Sequence, residues 1–466
     1  MLTAVKNRIA TMFTSGYDAV ASTGKRKAAS AVLKYEDEQL KHRDRKKIIG
    51  TGRDLVRNYS AVSWVIRKHL DYCTQFDFQV RTDSDELNQQ IEDLVKVQSR
   101  SHNCDQAQRH PFPRLMRMLE GRRVIDGDVF LVKRSSGRLQ AVESELIADP
   151  DDIKRDQRWF NGCNVDADGR ALGWGLHKRG EHGLNEFLKR VPARNMIQHA
   201  CFDSSFRFDQ VRGVSPLACA FNSFRDLYEG IDFALAKMKV EQLFAMVITD
   251  SATDGIGETI KSGNDYTVDF GKGPVKLELE PGEDAKFLKT DNPGSSTQDF
   301  LHLVLGMALK ALDIPFSFYK EDFTNFFGSK SAFMQYERSC RAKRADVIEV
   351  LRQITIWWMR IWISRGLLTL PAGMTINDVD FEWVPIGMPW WDPAKEIKGD
   401  VMAIAAGLDN PYRICKERGR GEFEDNIKEI AKAKAFAESM DVEVSFVPEE
   451  AEQLGVPDDN SGDTDE

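Results

Sequence analysis

The sequence predicts an α+β protein organised around two long helices. Over 215–247, Leu217, Phe221, Phe224, Tyr228, Ile231, Leu235, Met238, Gln242 and Ala245 recur at alternating spacings of four and three, a heptad seam apolar except at Gln242. Over 330–365 a second row, Val347, Leu351, Ile354, Trp358 and Ile361, keeps the helical period. Between 100 and 200 the period falls to two. Residues 128–132 and 139–142 flank Ser135-Ser136-Gly137, which is a hairpin signal.

In chain order, residues 1–57 are polar and basic, with Lys25, Arg26 and Lys27, then Arg43, Arg45, Lys46 and Lys47. They read as a solvated, partly disordered arm, or as a contact with an acidic neighbour or nucleic acid. Helices are expected through Trp64, Val65, Leu70 and Tyr72, over 83–98, and after Pro111 and Pro113, where Leu115, Met118 and Leu119 share a face. Asp166-Ala167-Asp168-Gly169 precedes a strand over 171–177. Asn164, Asp166, Asp168 and Gly169 match the opening of a calcium loop, but Gly175 stands where that loop needs a glutamate, so a turn is expected.

Ser215 suits an N-cap and Pro216 a first helical position, since the N–H that proline lacks would have no partner there. A helix over 216–247 would be roughly 48 Å long. No small core covers that length, so the helix packs lengthwise against a partner from this chain or from neighbouring copies. Residues 249–297 are Gly-rich and read as a small β insertion, with strands at 266–270 and 275–279. A second helix over 297–312 ends at Pro315 and an aromatic loop follows, with Phe316, Phe318, Tyr319, Phe323, Phe326, Phe327 and Gly328. The helix over 330–365 carries Arg338, Arg341, Lys343 and Arg344 in its first half and stops at Gly366. Residues 381–384 are expected to return a strand to the α+β unit. Three short helices follow at 393–407, 411–418 and 423–440, then an acidic tail expected to be disordered.

Composition narrows the function. A chain of 466 residues exceeds one hydrophobic core, so two or three units are expected. The net charge of −9 argues against a protein that coats nucleic acid, yet allows one that surrounds DNA without gripping it. Seven scattered cysteines without a CxxC, and no expected signal peptide, fit reduced thiols in a cytosol. Arg360 and Arg365 interrupt the apolar run 354–370, so no membrane span is expected. There is no P-loop, Gly213-Val214-Ser215-Pro216-Leu217 lacks the second glycine of a nucleophile elbow, and no histidine pair has metalloprotease spacing. Neither enzyme activity nor a cofactor or metal is expected, although the scattered carboxylates leave a metal-dependent nuclease as an alternative.

Several stretches, in order, resemble the lambda-type portal proteins of tailed bacteriophages. Arg53-Asp54-Leu55-Val56-Arg57-Asn58 resembles that family's R-D-L-x-R-N helix, and residues 164–173 its D-x-x-G-R turn. Val191-Pro192-Ala193 through His199, followed by Val211-Arg212-Gly213-Val214-Ser215, resembles the V-P-A…H segment and the R-G-V turn that opens the stem helix. Leu279-Glu280-Pro281-Gly282-Glu283 resembles the L-x-P-G-E at the end of the clip, and 305–315 with 322–341 the passage through the channel loop. The chain departs from the family at Phe327-Gly328-Ser329-Lys330-Ser331-Ala332, where N-Y-S-S-x-R is usual. No specific match appears before about residue 50 or beyond about 390.

The resemblance implies a portal fold: N-terminal arm 1–57, α+β wing 58–215, stem helices 216–247 and 297–314, clip 248–296, channel loop 315–329, long helix 330–366, wing return 367–390, helical crown 391–441 and acidic tail 442–466. It implies a ring, usually of twelve copies, at one capsid vertex of the virion, assembled in the host cytoplasm. That ring conducts double-stranded DNA during packaging and ejection and docks the terminase motor and head–tail connector proteins, with major capsid and scaffold proteins as further partners and no membrane. On this reading Phe221, Phe224, Tyr228, Ile231, Leu235 and Met238 form the subunit interface. Lys237, Lys239, Lys320, Glu321, Asp322, Phe326, Phe327 and Lys330 face the DNA channel. A structural ring that never contains DNA is the other alternative.

Overall fold

The computed structural model describes residues 34, 36–153, 158–180, 184–203, 206–243, 246–250, 283–287, 295–321, 326–386, 393–418 and 420–442. Its elements begin with α1 (Glu36–Gln39), α2 (His42–Asn58), α3 (Ser60–Cys73), β1 (Phe76–Val80), α4 (Asp85–Gln98), α5 (Ser101–Cys104) and α6 (Phe112–Asp126). Seven strands follow: β2 (Asp128–Lys133), β3 (Leu139–Glu143), β4 (Arg158–Phe160), β5 (Cys163–Val165), β6 (Ala171–Arg179), β7 (Asn185–Pro192) and β8 (Met196–Ala200). Then come α7 (Phe221–Leu243), β9 (Met246–Asp250), β10 (Glu283–Phe287), α8 (Ser295–Leu309), α9 (Phe316–Lys320) and α10 (Phe326–Ser364). The chain closes with β11 (Phe381–Pro385), α11 (Pro393–Ala405), α12 (Pro411–Arg418) and α13 (Phe423–Ser439). These divide into two compact units, one of residues up to 70 with 100–324, the other of 71–99 with residues from 325 onward.

The first unit contains two antiparallel sheets, β3-β2-β8 and β4-β5-β6-β7. Their apolar residues share a core: Phe130, Val132 and Val142 from one, Cys163, Trp174, Leu176 and Val191 from the other. Residues 42–58 do not form part of a solvated arm. They make α2, because Ile49, Gly52 and Leu55 recur at helical spacing on a buried face and Arg45 beside them finds a buried carboxylate. Turn chemistry accounts for 164–170: the Asp166 carboxylate accepts from the Asp168 and Arg170 amides at 3.0 and 2.8 Å.

The helix expected over 216–247 starts later and ends earlier. Ser215 caps it, accepting from Leu217 N at 3.2 Å, but Pro216–Ala220 is a 3-10 turn and the α-helix runs from Phe221 to Leu243. Val247, Ile248 and Thr249 then favour extended chain, as β-branched residues do, and form β9, which pairs antiparallel with β10. The strands expected at 266–270 and 275–279 lie outside the described residues. The aromatic loop is shorter than expected. Pro315 opens the short α9, and Phe326 already begins α10, since nothing but Gly328 disfavours a helix there.

In the second unit the buried face of the 39-residue α10 is formed by Val347, Leu351, Ile354, Trp358 and Trp362. Gly366 stops the helix at φ 70°, and the Leu367 amide reaches back to Trp362 O at 2.9 Å. The strand expected to return to the α+β unit does otherwise. β11 pairs antiparallel with β1, Phe76 opposite Pro385, so 71–99 leaves the 58–215 unit that the sequence predicted. The aromatic rings explain the choice: Phe78 packs on Phe381 and Trp383 at 5.9 and 4.8 Å, and Trp383 Nε1 donates to Thr355 Oγ1 of α10 at 3.0 Å. Ion pairs help tie down α11 to α13, Arg418 with Asp400 and Glu396 and Lys428 with Asp85 among them.

Candidate functional site

The best-built feature of the first unit is the turn that launches α7. Gly127 and Gly213 bring two backbones together: Cys201 N donates to Gly127 O at 2.8 Å, and Val214 N donates to Cys201 O at 3.0 Å. A Cβ on Gly127, which sits at φ 96°, would lie 2.7 Å from Gly213 O and Ser215 N. Ser215 Oγ donates to Val124 O at 2.7 Å while it caps the turn, so one hydroxyl fixes the direction in which the helix leaves α6.

Beneath that turn lies a fully buried carboxylate. Asp128 accepts from Arg212 Nε and Arg45 Nη2, both at 2.6 Å, from Gly213 N at 3.1 Å, and from Ser144 Oγ. Arg212 also donates to the carbonyls of Ile147, Ser144 and Asn161 and lies over the Phe130 ring at 5.1 Å. Arg45 Nη1 donates to Gly213 O at 2.6 Å. Burial alone would push the Asp128 carboxyl up, but Arg212 and Arg45 together hold it below the usual range.

Two further clusters surround this one. Arg53 forks onto Asp126 at 2.9 and 2.6 Å and onto Glu145 at 2.9 and 2.5 Å. Glu120, fully buried, lies 2.6 Å from both His69 Nε2 and His199 Nε2 and accepts two bonds from Arg123 at 2.8 Å. Burial opposes its ionisation, yet Arg123, His199 and His69 overcome it and hold the carboxyl well below the usual range. Charges so fully engaged fix elements in place, and none presents an open position to a substrate. Among the described residues no three His, Cys, Asp or Glu side chains gather in a way that could hold a metal ion.

The seam on α7 splits in two. Phe221 and Phe224 are buried inside the first unit and belong to the protomer's core, because α2 and the 3-10 turn pack on this end of the helix. Tyr228 is half-buried; its hydroxyl accepts from Ala61 N at 3.1 Å and its ring meets Tyr59 edge-on at 4.3 Å. Farther along, α8 is the main neighbour, close enough at Gly230 that a Cβ would lie 2.9 Å from Leu301 Cδ2. There Ile231 and Leu235 are exposed and Met238 is half-buried. Phe233, 74% exposed and off the heptad positions of α7, and the exposed Phe300, Leu303 and Met307 of α8, outside that seam, add apolar surface.

The residues expected at a channel do not form one described cluster. Lys237 and Lys239 are exposed on α7. Lys320, at the end of α9, is exposed with its Nζ 5.5 Å from the centre of the Phe316 ring, and exposed Glu321 takes a left-handed φ of 52°. Asp322 lies outside the described residues. Phe326 and Phe327 begin α10, and Lys330 pairs with Glu396 at 3.5 Å in the second unit.

No curated protein matches the chain. The solved structures that resemble it include three at 14% sequence identity, each match covering 80% of this chain and 92% of the other. They are the virion of a native gene transfer agent particle (TM-score 0.42), the neck of an empty gene transfer agent particle with C6 symmetry (0.46), and the neck of the native particle with C12 symmetry (0.45). Residues 23–344 match the family described as phage portal protein, lambda family, which includes the launching turn, α7, α8 and the opening of α10. With well over half of its length matched, the chain belongs to the lambda family of phage portal proteins.

Proposed function

We propose that the chain forms a ring, a dodecamer, at one vertex of a phage-like capsid, and that double-stranded DNA passes through it during packaging and ejection. Family membership carries this reading. The exposed apolar side chains of α7 and α8 support it, since Ile231, Phe233, Leu235, Phe300, Leu303 and Met307 are surface that a lone protomer would expose to water. We place the wing in 58–215, the stem in 216–247 and 297–314, the clip in 248–296 and the crown in 391–441, with the clip meeting the terminase and later the head–tail connector. The net charge of −9 suits a conduit: each phosphate held by a Lys or Arg adds affinity and salt dependence, whereas an acidic lining keeps the duplex centred and sliding. The family is structural, and ATP hydrolysis falls to the separate terminase motor.

Electron-microscope class averages of the purified protein test the ring directly. Phe233→Asp would place a charge in the proposed interface, a penalty of several kcal/mol per subunit. The variant should remain folded and monomeric where the wild type forms rings with a central hole. Rings at wild-type yield in that variant would show that the subunits meet elsewhere.

A further inference from the structure

The segment between β8 and the launching turn exposes three phenylalanines. Phe202, Phe206 and Phe208 are 40%, 80% and 108% exposed. Their placement is built. Phe206 holds a left-handed φ of 53°, unusual for a bulky residue, and its amide donates to Phe202 O at 3.2 Å. Arg207 forks onto Asp209 at 2.9 and 2.7 Å, and the buried Gln210 amide donates to Arg212 O at 2.8 Å. Described residues held in this way, with aromatic rings in water, make an anchor for a partner.

A matching cavity lies on the other side of the same sheet. Between α6 and β3 is a space of about 490 Å³ lined by Leu115, Met118, Leu119 and Val129. His110 and Arg109 stand at its margin, and His110 Nδ1 is buried without a hydrogen-bond partner in the structure. The volume falls in the range of sites that enclose whole ligands, ample for two phenyl side chains. The sheet order β3-β2-β8 sets cavity and loop at opposite edges. Two unlike patches on opposite edges of one subunit are what a head-to-tail interface requires, and such an interface forms a ring when the rotation between copies closes.

We infer that Phe206 and Phe208 of one copy insert into the α6–β3 cavity of the next copy, a contact between first units that locks neighbours around the ring. Resting on the ring reading above, it names a second copy of this chain as the partner. The exposed Asp203 beside Phe202 meets a margin that carries Arg109, and His110 Nδ1 gains a donor from the incoming loop. Two phenylalanines would bury roughly 300–500 Å². That is an anchor and not a whole interface, which needs about 1,000 Å² or more, and the α7–α8 face supplies the rest.

The test uses the full chain with two variants: Phe206→Ser combined with Phe208→Ser, and Met118→Asp in the cavity. All three side chains are substantially exposed, so circular dichroism should show both variants folded. The ring fraction, read by light scattering and electron microscopy, should fall at least about tenfold in each, as expected when an anchor is removed. Mixing the variants should give dimers and no rings, because only one of the two possible junctions keeps both an intact loop and an intact cavity. Rings at wild-type yield from the double-serine chain would overturn this inference alone. Such rings that then fail to enter capsids would also overturn it and reassign the loop to a capsid protein. A wild-type chain that never forms rings would overturn the ring reading itself, and this inference with it.

Discussion

Asp128→Asn isolates what the buried charges under the launching turn contribute. The substitution keeps the shape of the side chain and removes its charge. It leaves two guanidinium groups, Arg45 and Arg212, whose side chains are 6% and 1% exposed, without a counter-charge. Breaking one partner out of a buried pair typically costs about 3–5 kcal/mol. For a unit of this size each kcal/mol lowers the melting midpoint by about 2–4 °C, so a fall of roughly 6–20 °C is expected. Thermal unfolding of the first unit measures it, and hydrogen exchange at the Gly213 and Val214 amides localises it. Acid should reveal the same group: because the folded Asp128 carboxyl is held below its usual range, its stabilisation is present above about pH 4 and is lost as pH falls through the folded value. The asparagine variant should lack that component of acid sensitivity. A loss below about 1 kcal/mol, no more than a surface pair gives, would refute the account.

Gly127→Ala should destabilise more than Gly169→Ala: both have positive φ, but only Gly127 has backbone atoms 2.7 Å from the new Cβ, and melting curves of the two variants make the comparison. Native alkylation read by mass spectrometry should modify the exposed Cys219 first and leave Cys104 untouched, since burial, reinforced by Asp105, pushes the Cys104 thiol up to about 12. On the channel proposal, Lys320→Glu with Lys330→Glu should leave rings intact and change the rate or retention of DNA packaging; unchanged packaging of full-length DNA would remove these lysines from any role on DNA.

The sequence made the helices legible and left their surroundings hidden. Spacing alone revealed the seam on α7, yet periodicity says which residues share a face and nothing about what covers it turn by turn. Phe224 is fully buried and Ile231 two turns later is not, although both sit on the same seam. A basic run looked solvated because its partner is distant in sequence: Arg45 finds Asp128 across 83 residues, while Lys46, the next residue, remains exposed. The same distance hid the pairing of β1 with β11, which no local pattern announces. Phe206 and Phe208 carried a weak signal, two aromatics in a polar turn, that helix and strand templates discard.

Where the charges lie says how the protomer prepares for assembly. Asp128, Glu120 and Asp126 are fully engaged beneath or beside the launching turn, while α7 and α8 beyond Gly230 expose large apolar side chains such as Phe233, Leu235, Phe300 and Leu303. Buried ion networks of this kind add little net stability over a well-packed apolar core, but they tolerate one geometry only. Here that geometry fixes the direction of α7, through Ser215, Gly213 and Arg212, before any neighbour arrives. If the protomers close into a ring, α7 meets its neighbours with its orientation already set, and association does not have to order it. Weakening the Asp128 cluster should therefore lower ring affinity as well as protomer stability, although no residue of that cluster is exposed enough to touch a second copy.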